Sequence, residues 1–224
     1  MGKEILLAAC LFVVMIFKKV HSCTDDELVL VQMISRHGEI SPIKLYPEDP
    51  NPAEVWKEGL EDLTLKGKFQ AYALGCYLRA RYDGFITSDP NEVDVISGSK
   101  EYCVKSAQSF ITALYAPDSN WEIVQQFPWQ PMFIQYGNDT TEKCLSNPSC
   151  PAADEETRRI FSDEKEMLES YEGLIQFWQE NSGRNFEGLE DIETLYNTLR
   201  TEANYNLAVS IMGSKLLELF TIPS

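Results

Sequence analysis

The sequence predicts an α/β protein built on a parallel sheet, and three observations predict it. The run Leu28–Ile34 is rich in branched apolar side chains with little alternation, which suits a strand buried on both faces. A helical stripe follows it, then a second apolar strand and a second helix, the alternation of βαβ units. With 224 residues, 44% of them hydrophobic, the chain can also bury one large core.

The N-terminus places Lys3 before the apolar run Ile5–Phe17 and ends it with Lys18 and Lys19. That run is shorter than the roughly 20 residues a membrane span needs, and Val20 and Ser22 put small side chains at −3 and −1 of a cut before Cys23. Residues 1–22 therefore read as a signal peptide and the mature chain as secreted, with no stable membrane span. His21 would leave with the leader, so His37 would be the one histidine of the mature protein.

After the strand at Leu28–Ile34 comes the turn SRHGEISP, then YPEDPNPAEVW, Tyr46–Trp56, which holds three prolines and three acids and reads as an exposed loop. Residues 64–82 place Leu65, Phe69, Tyr72, Leu74 and Leu78 near helical spacing, with Arg79 and Arg81 toward the end, and predict a long amphipathic helix. Val93–Ser97 predicts a strand and Cys103–Tyr115 a helix; a third short strand is expected in EIVQQF, Glu122–Phe127. From Ala153 onward the pattern is helical: ADEETRRIF, then a helix with acids from Asp163 at its start and Gly183 at its end, then LEDIETLYNTLRTEANYNL. Tyr171, Phe177 and Trp178 recur at near-helical spacing and read as core. The expected organisation is a leader (1–22), the front part of an α/β core (23–130), a mostly helical region (131–205) and a truncated apolar helix (206–224).

The formal charge of −16 would repel nucleic acid and anionic membrane surfaces. Outside the leader stand Cys23, Cys76, Cys103, Cys144 and Cys150; in a secreted protein the short turn CLSNPSC suggests a Cys144–Cys150 disulfide. Scattered cysteines without a second histidine argue against a zinc site, so no metal is expected. Asn138-Asp139-Thr140 is a glycosylation acceptor, whereas Pro148 spoils Asn147-Pro148-Ser149.

His37 would lie at the C-terminal end of the first strand, where open α/β sheets bind ligands. Beside Arg36 and Gly38 it could attack phosphorus as a neutral imidazole while the arginine holds phosphoryl oxygens; the tripeptide alone is too short to be specific and fits an ordinary loop histidine better. The wider sequence decides between them. RHGEISP, Arg36–Pro42, resembles the R-H-G-x-R-x-P signature of the histidine acid phosphatases, and LTLKGKFQAYALGCYLRARY, from Leu63, resembles that family's next helix. The resemblance continues through SAQSFITALYAP, WQP at Trp129–Pro131 and GLEDIETLYNTLRTEANYNL, covering the mature chain but the front half of a typical member. It implies a Rossmann-like, phosphoglycerate-mutase-like core with a helical cap, the C-terminal part of that core being missing here. It further implies cleavage of phosphomonoesters at acid pH through a phosphohistidine, without metal or other cofactor.

Carried over by that resemblance, His37 matches the nucleophile and Arg36 a phosphate ligand. The family's second motif arginine is Ile40 here, and a further arginine before the S-A-Q-S helix falls at Tyr102. The family's late His-Asp pair has no counterpart. Lys44, Lys100, Arg79 and Arg81 read as surface charges rather than replacements, and Glu39 as an exposed residue rather than a substitute acid. The expectation is a secreted, acid-phosphatase-like pseudoenzyme with lost or strongly reduced activity; the alternatives are an active phosphatase working through His37 and, for location, the lysosome. Its ligand would be a phosphomonoester or phosphate.

Overall fold

Thr64 opens the first helix with an extended backbone and a hydroxyl that accepts the N–H of Gly67, satisfying one of the donors a helix start leaves unpaired. Helix α1 runs Leu65–Arg81, and its last turn carries Arg79 and Arg81, the favourable charge for that end. This computed structural model describes residues 28–137, 150–161 and 168–209. The leader, Cys23, Asn138, Cys144, Asp163 and residues 210–224 of the C-terminal segment lie outside the described residues.

The predicted helix forms, but it does not bury the predicted stripe. Leu65 is 71% and Phe69 68% exposed, and Tyr72 and Leu74 are also exposed, while its buried residues are Gly67 and Gly75. The reason is close backbone approach: a Cβ on Gly75 would collide with the Phe110 carbonyl and lie 2.8 Å from Ala113 Cβ. Helix α2, Glu101–Leu114, supplies that surface and buries Ser106, Ile111, Ala113 and Leu114.

Two parallel strands flank α2 in sequence, β1 at Val95–Ile96 and β2 at Ile134–Gln135, with Val95 opposite Ile134. Ile111, Leu114 and Tyr115 form a core with Leu78, Val93, Val95 and Ile134 packed against it. The buried Gln130 amide donates to the carbonyls of Ser88 and Tyr115 and ties the approach to β2 onto the end of α2. EIVQQF is not a strand. It makes turns, and Gln126 has φ 61°, a left-handed value that an extended strand cannot hold; the pairing falls later in the chain.

Three helices follow: α3 (Pro151–Phe161), α4 (Glu172–Ser182) and α5 (Leu189–Asn204). Pro151 begins α3, where its missing N–H costs nothing, and Gly183 ends α4 at φ 66°, the left-handed cap expected of it. Trp178, Ile192, Leu195 and Leu199 form a second core with Tyr46. The proline-rich loop is therefore not simply exposed: Tyr46, Asn51 and Trp56 are buried, because Glu48 N–H donates to Ser182 and the Lys44 carbonyl accepts from Thr198, fastening the loop to α4 and α5.

The chain divides into two compact units, Met1–Ile34 and Ser35–Ser224. In the first, the described residues 28–34 form no strand, and Val29 and Ile34 are 81% and 98% exposed. A strand exists only where a neighbouring ladder accepts its N–H and C=O groups, and no described residue bridges to this segment. Among the described residues no helix is long and apolar enough to cross a membrane.

Candidate active site

The loop Gly38–Ser41 lies across the N-terminal end of α1. The Glu39 carbonyl accepts both the Thr64 N–H (3.0 Å) and the Thr64 hydroxyl (2.9 Å), Ser41 N–H donates to Asp62 (2.8 Å), and Ile40 bridges Leu63 in antiparallel fashion. Glycines permit this contact. A Cβ on Gly38 would collide with the Gly67 carbonyl, and one on Gly67 would lie 2.7 Å from the Glu39 nitrogen.

Gly38 N–H also donates to the buried Ser106 hydroxyl at 3.1 Å, and that hydroxyl donates back along its own helix to the Tyr102 carbonyl at 2.7 Å. One serine thus joins the motif loop to the turn of α2 that carries Tyr102. The half-buried His37 follows: its Nδ1 lies 2.7 Å from the Gly38 carbonyl, and its ring meets the Tyr102 ring at 4.7 Å, edge to face. A carbonyl only accepts, so in the neutral ring the proton sits on Nδ1 and Nε2 carries the lone pair.

The structure therefore brings His37 and Tyr102 into contact, with Arg36 next to the histidine in sequence. Arg36 is exposed and makes no ion pair among the described residues. Burial raises the Tyr102 phenol above its usual range, helped by Cys103 and Glu61 against the pull of Lys100 and Arg36, so it stays neutral through the physiological range. Ile40 is half-buried and adds no charge.

Three nearby lysines are paired elsewhere. Lys100 pairs with Glu61 at 3.3 Å, Lys105 with Asp62 at 2.6 Å and Glu101 at 2.7 Å, and Lys66 lies 3.8 Å from Glu39. Arg79 donates to the Leu114 carbonyl and the Ser88 hydroxyl at the far end of α2, while Arg81 and Lys44 are exposed. Of the four read as surface charges, Lys44, Lys100 and Arg81 are exposed, whereas Arg79 is half-buried and held by its hydrogen bonds.

Two sequence-based expectations fail here. Glu39 is not exposed: its side chain is 13% accessible, Asn204 donates to its Oε2 at 2.6 Å, and Gln70 accepts its N–H, because the loop is sandwiched between α1 and the end of α5. Cys150 has a free, exposed thiol among the described residues, and its suggested disulfide partner, Cys144, lies outside them; the Cys150 carbonyl starts α3 by accepting from Asp154 N–H. Of the three aromatics read as core, Trp178 and Phe177 are, but Tyr171 is 58% exposed. Sequence reasoning missed Ser106 as the joint beneath the histidine; its spacing of one helical turn from Tyr102 was the available signal. Among the described residues no cluster of His, Cys, Asp and Glu could hold a metal ion.

Comparison with known proteins supplies relatives for this arrangement. A family model described as the histidine phosphatase superfamily (branch 2) matches residues 27–222. A lysosomal acid phosphatase of Xenopus laevis is 32% identical over 215 residues, 93% of this chain and 49% of that protein. A prostatic acid phosphatase of Bos taurus is 30% identical over 192 residues, 82% of this chain and 49% of the relative, and the Bos taurus lysosomal acid phosphatase is 29% identical over 187 residues, 80% and 44%. The chain spans about half the length of these relatives.

Proposed function

The chain belongs to branch 2 of the histidine phosphatase superfamily, and on that premise we propose that it is a secreted acid-phosphatase-like protein whose phosphomonoesterase activity is lost or strongly reduced. The observation that carries this reading is the Tyr102 ring against His37, a neutral aromatic where charge stabilisation is needed. Phosphoryl transfer depends on positioning and on cations around the equatorial oxygens. Removing one such donor typically costs about 100- to 1,000-fold in rate, and both Ile40 and Tyr102 stand at positions where the family resemblance implies arginine. Arg36 remains as the cation beside His37.

The second reading, an active phosphatase, is favoured by the Nδ1 hydrogen bond of His37 to Gly38. In that reading Nε2 attacks phosphorus, the ester P–O bond breaks, the leaving alkoxide takes a proton from solvent water, and water then cleaves the P–N bond of the phosphohistidine to give inorganic phosphate and the free imidazole. The same reading of the chain assigns residues 1–22 to a leader, 23–130 to the front of the core, 131–205 to a cap, and Asn138 to a glycan; a lysosomal destination is the alternative to secretion.

An aryl phosphate assay of the purified chain from about pH 4 to about pH 8, beside His37→Ala and an Ile40→Arg, Tyr102→Arg double variant, tests the proposal. The expected result is no difference between the parent and His37→Ala, with a gain in the double variant. Robust parental turnover abolished by His37→Ala would establish the active reading instead.

A further inference from the structure

We propose that Asp49 and Glu202 form a proton-operated latch that pins the loop after the motif to the end of α5 in acidic solution and releases it as the pH rises through neutrality. Glu202 is fully buried, and Asn51 holds it: the Asn51 amide donates to Glu202 Oε1 at 2.9 Å and to the Ala208 carbonyl at 2.8 Å, while Asn51 N–H donates to Asp49 Oδ1 at 2.8 Å. That geometry leaves Asp49 Oδ2 and Glu202 Oε2 buried without a donor among the described residues. The two carboxyl groups are within hydrogen-bonding reach of each other. Two ionised carboxylates there would repel in a poorly solvated site, whereas one shared proton gives both oxygens a partner.

Among the described residues no cation relieves the pair. On α5, Arg200 and Glu193 are exposed, Glu190 is exposed in the first turn, and Asp191 is bound to Arg184. On the loop, Lys44 and Glu48 are exposed, and from α1 the Lys66 ammonium is occupied by Glu39 and the Asn204 carbonyl. Asp49 is the titratable group that bears on Glu202. Burial, then Asp49, pushes the Glu202 carboxyl up to about 8 against the Asn51 hydrogen bond, and the value belongs to the pair. Because the native pair holds its proton more tightly than the unfolded chain, the latch is fully stabilising below an ordinary glutamate's range and is lost as pH climbs from about 4.5 to about 8.

The latch reaches the candidate site through its neighbours. Asn204, one half-turn beyond Glu202, holds Glu39 of the motif loop, and Tyr205 packs edge-on against Trp56 at 5.2 Å. Freeing the end of α5 therefore loosens the loop that carries His37. This inference rests on the packing and is independent of whether the chain turns over substrate.

Thermal and denaturant unfolding of the full chain at about pH 5 and about pH 8, for the parent, Glu202→Gln and Asp49→Asn, tests it. The parent's unfolding constant is expected to rise about 100- to 1,000-fold over that interval, and that of Glu202→Gln by several-fold at most. The slope with pH is the readout, so a uniformly weaker variant still reports. Infrared spectroscopy of the parent needs no variant: a buried protonated carboxyl band should persist at neutral pH. Equal slopes in parent and Glu202→Gln, or absence of that band, would overturn the latch. So would stabilisation of the parent by calcium or magnesium at pH 8 that Glu202→Gln lacks, which would make the pair a cation site.

Discussion

The ring of Tyr102 meets the imidazole of His37 edge to face, with centroids 4.7 Å apart and planes inclined by 62°. Such a contact contributes about 0.5–1.5 kcal/mol and orients the histidine without giving it a charged neighbour. Together with the Nδ1 bond to Gly38 it keeps the imidazole ordered in a site poor in positive charge.

Replacing the phenol by a fixed cation should therefore restore anion binding before it restores turnover. Tyr102→Arg is expected to bind inorganic phosphate about 10- to 100-fold more tightly than the parent, the equivalent of one charge-assisted hydrogen bond. Calorimetry at low salt measures this; unchanged affinity would place Tyr102 away from the anion.

Thr64 serves two masters. Its hydroxyl caps α1 at Gly67 and donates to Glu39 in the motif loop. Thr64→Ala should lower stability by about 1–2 kcal/mol, with most of the loss recovered in Thr64→Ser, as read from urea unfolding midpoints.

Glycine positions separate by surroundings. Gly38→Ala and Gly67→Ala each force a methyl into facing backbone, and each should cost about 1–3 kcal/mol or more. Gly173→Ala, with open space around it in α4, should instead add up to about 1 kcal/mol. Equal thermal shifts in all three would contradict the close approach of the loop to α1.

The acid limb of stability should run through Asp62. Burial alone would raise its carboxyl, but the Lys105 and Leu63 hydrogen bonds, with Lys105 and Lys68 charge, hold it below the ordinary aspartate range. Its contribution is then present above about pH 4 and vanishes as pH falls through the lowered native value. Lys105→Met should cost about 1 kcal/mol near neutrality and almost nothing in strong acid, a difference that unfolding curves at the two pH values will show.

Gly183 was readable as the end of α4 because its signal is local, whereas the Thr64 cap of α1 and the start of α3 at Pro151, two residues before the expected Ala153, came from the structure. Strands were less readable. Leu28–Ile34 has the composition of a buried strand, yet pairing depends on a remote ladder, and Gln126 turns the chain where EIVQQF looked extended. At the candidate site, the motif pointed to His37 and Arg36 and the S-A-Q-S spacing to Tyr102, and the structure puts the His37 and Tyr102 rings in contact. The burial of Glu39 was hidden because its partner Asn204 lies 165 residues away, and nothing near either residue announces the contact.

The uncovered stripe of α1 makes the protein's solubility a colloidal balance. Leu65 and Phe69 face solvent on a helix with no acidic residue, while the chain as a whole carries −16. At low ionic strength that charge keeps molecules apart; at about 0.1 M salt its reach shrinks to roughly 10 Å, close to the range of apolar contact. Salting the solution thus trades mutual repulsion for adhesion, and ionic strength, rather than heat, becomes the variable that governs how concentrated the protein can be kept.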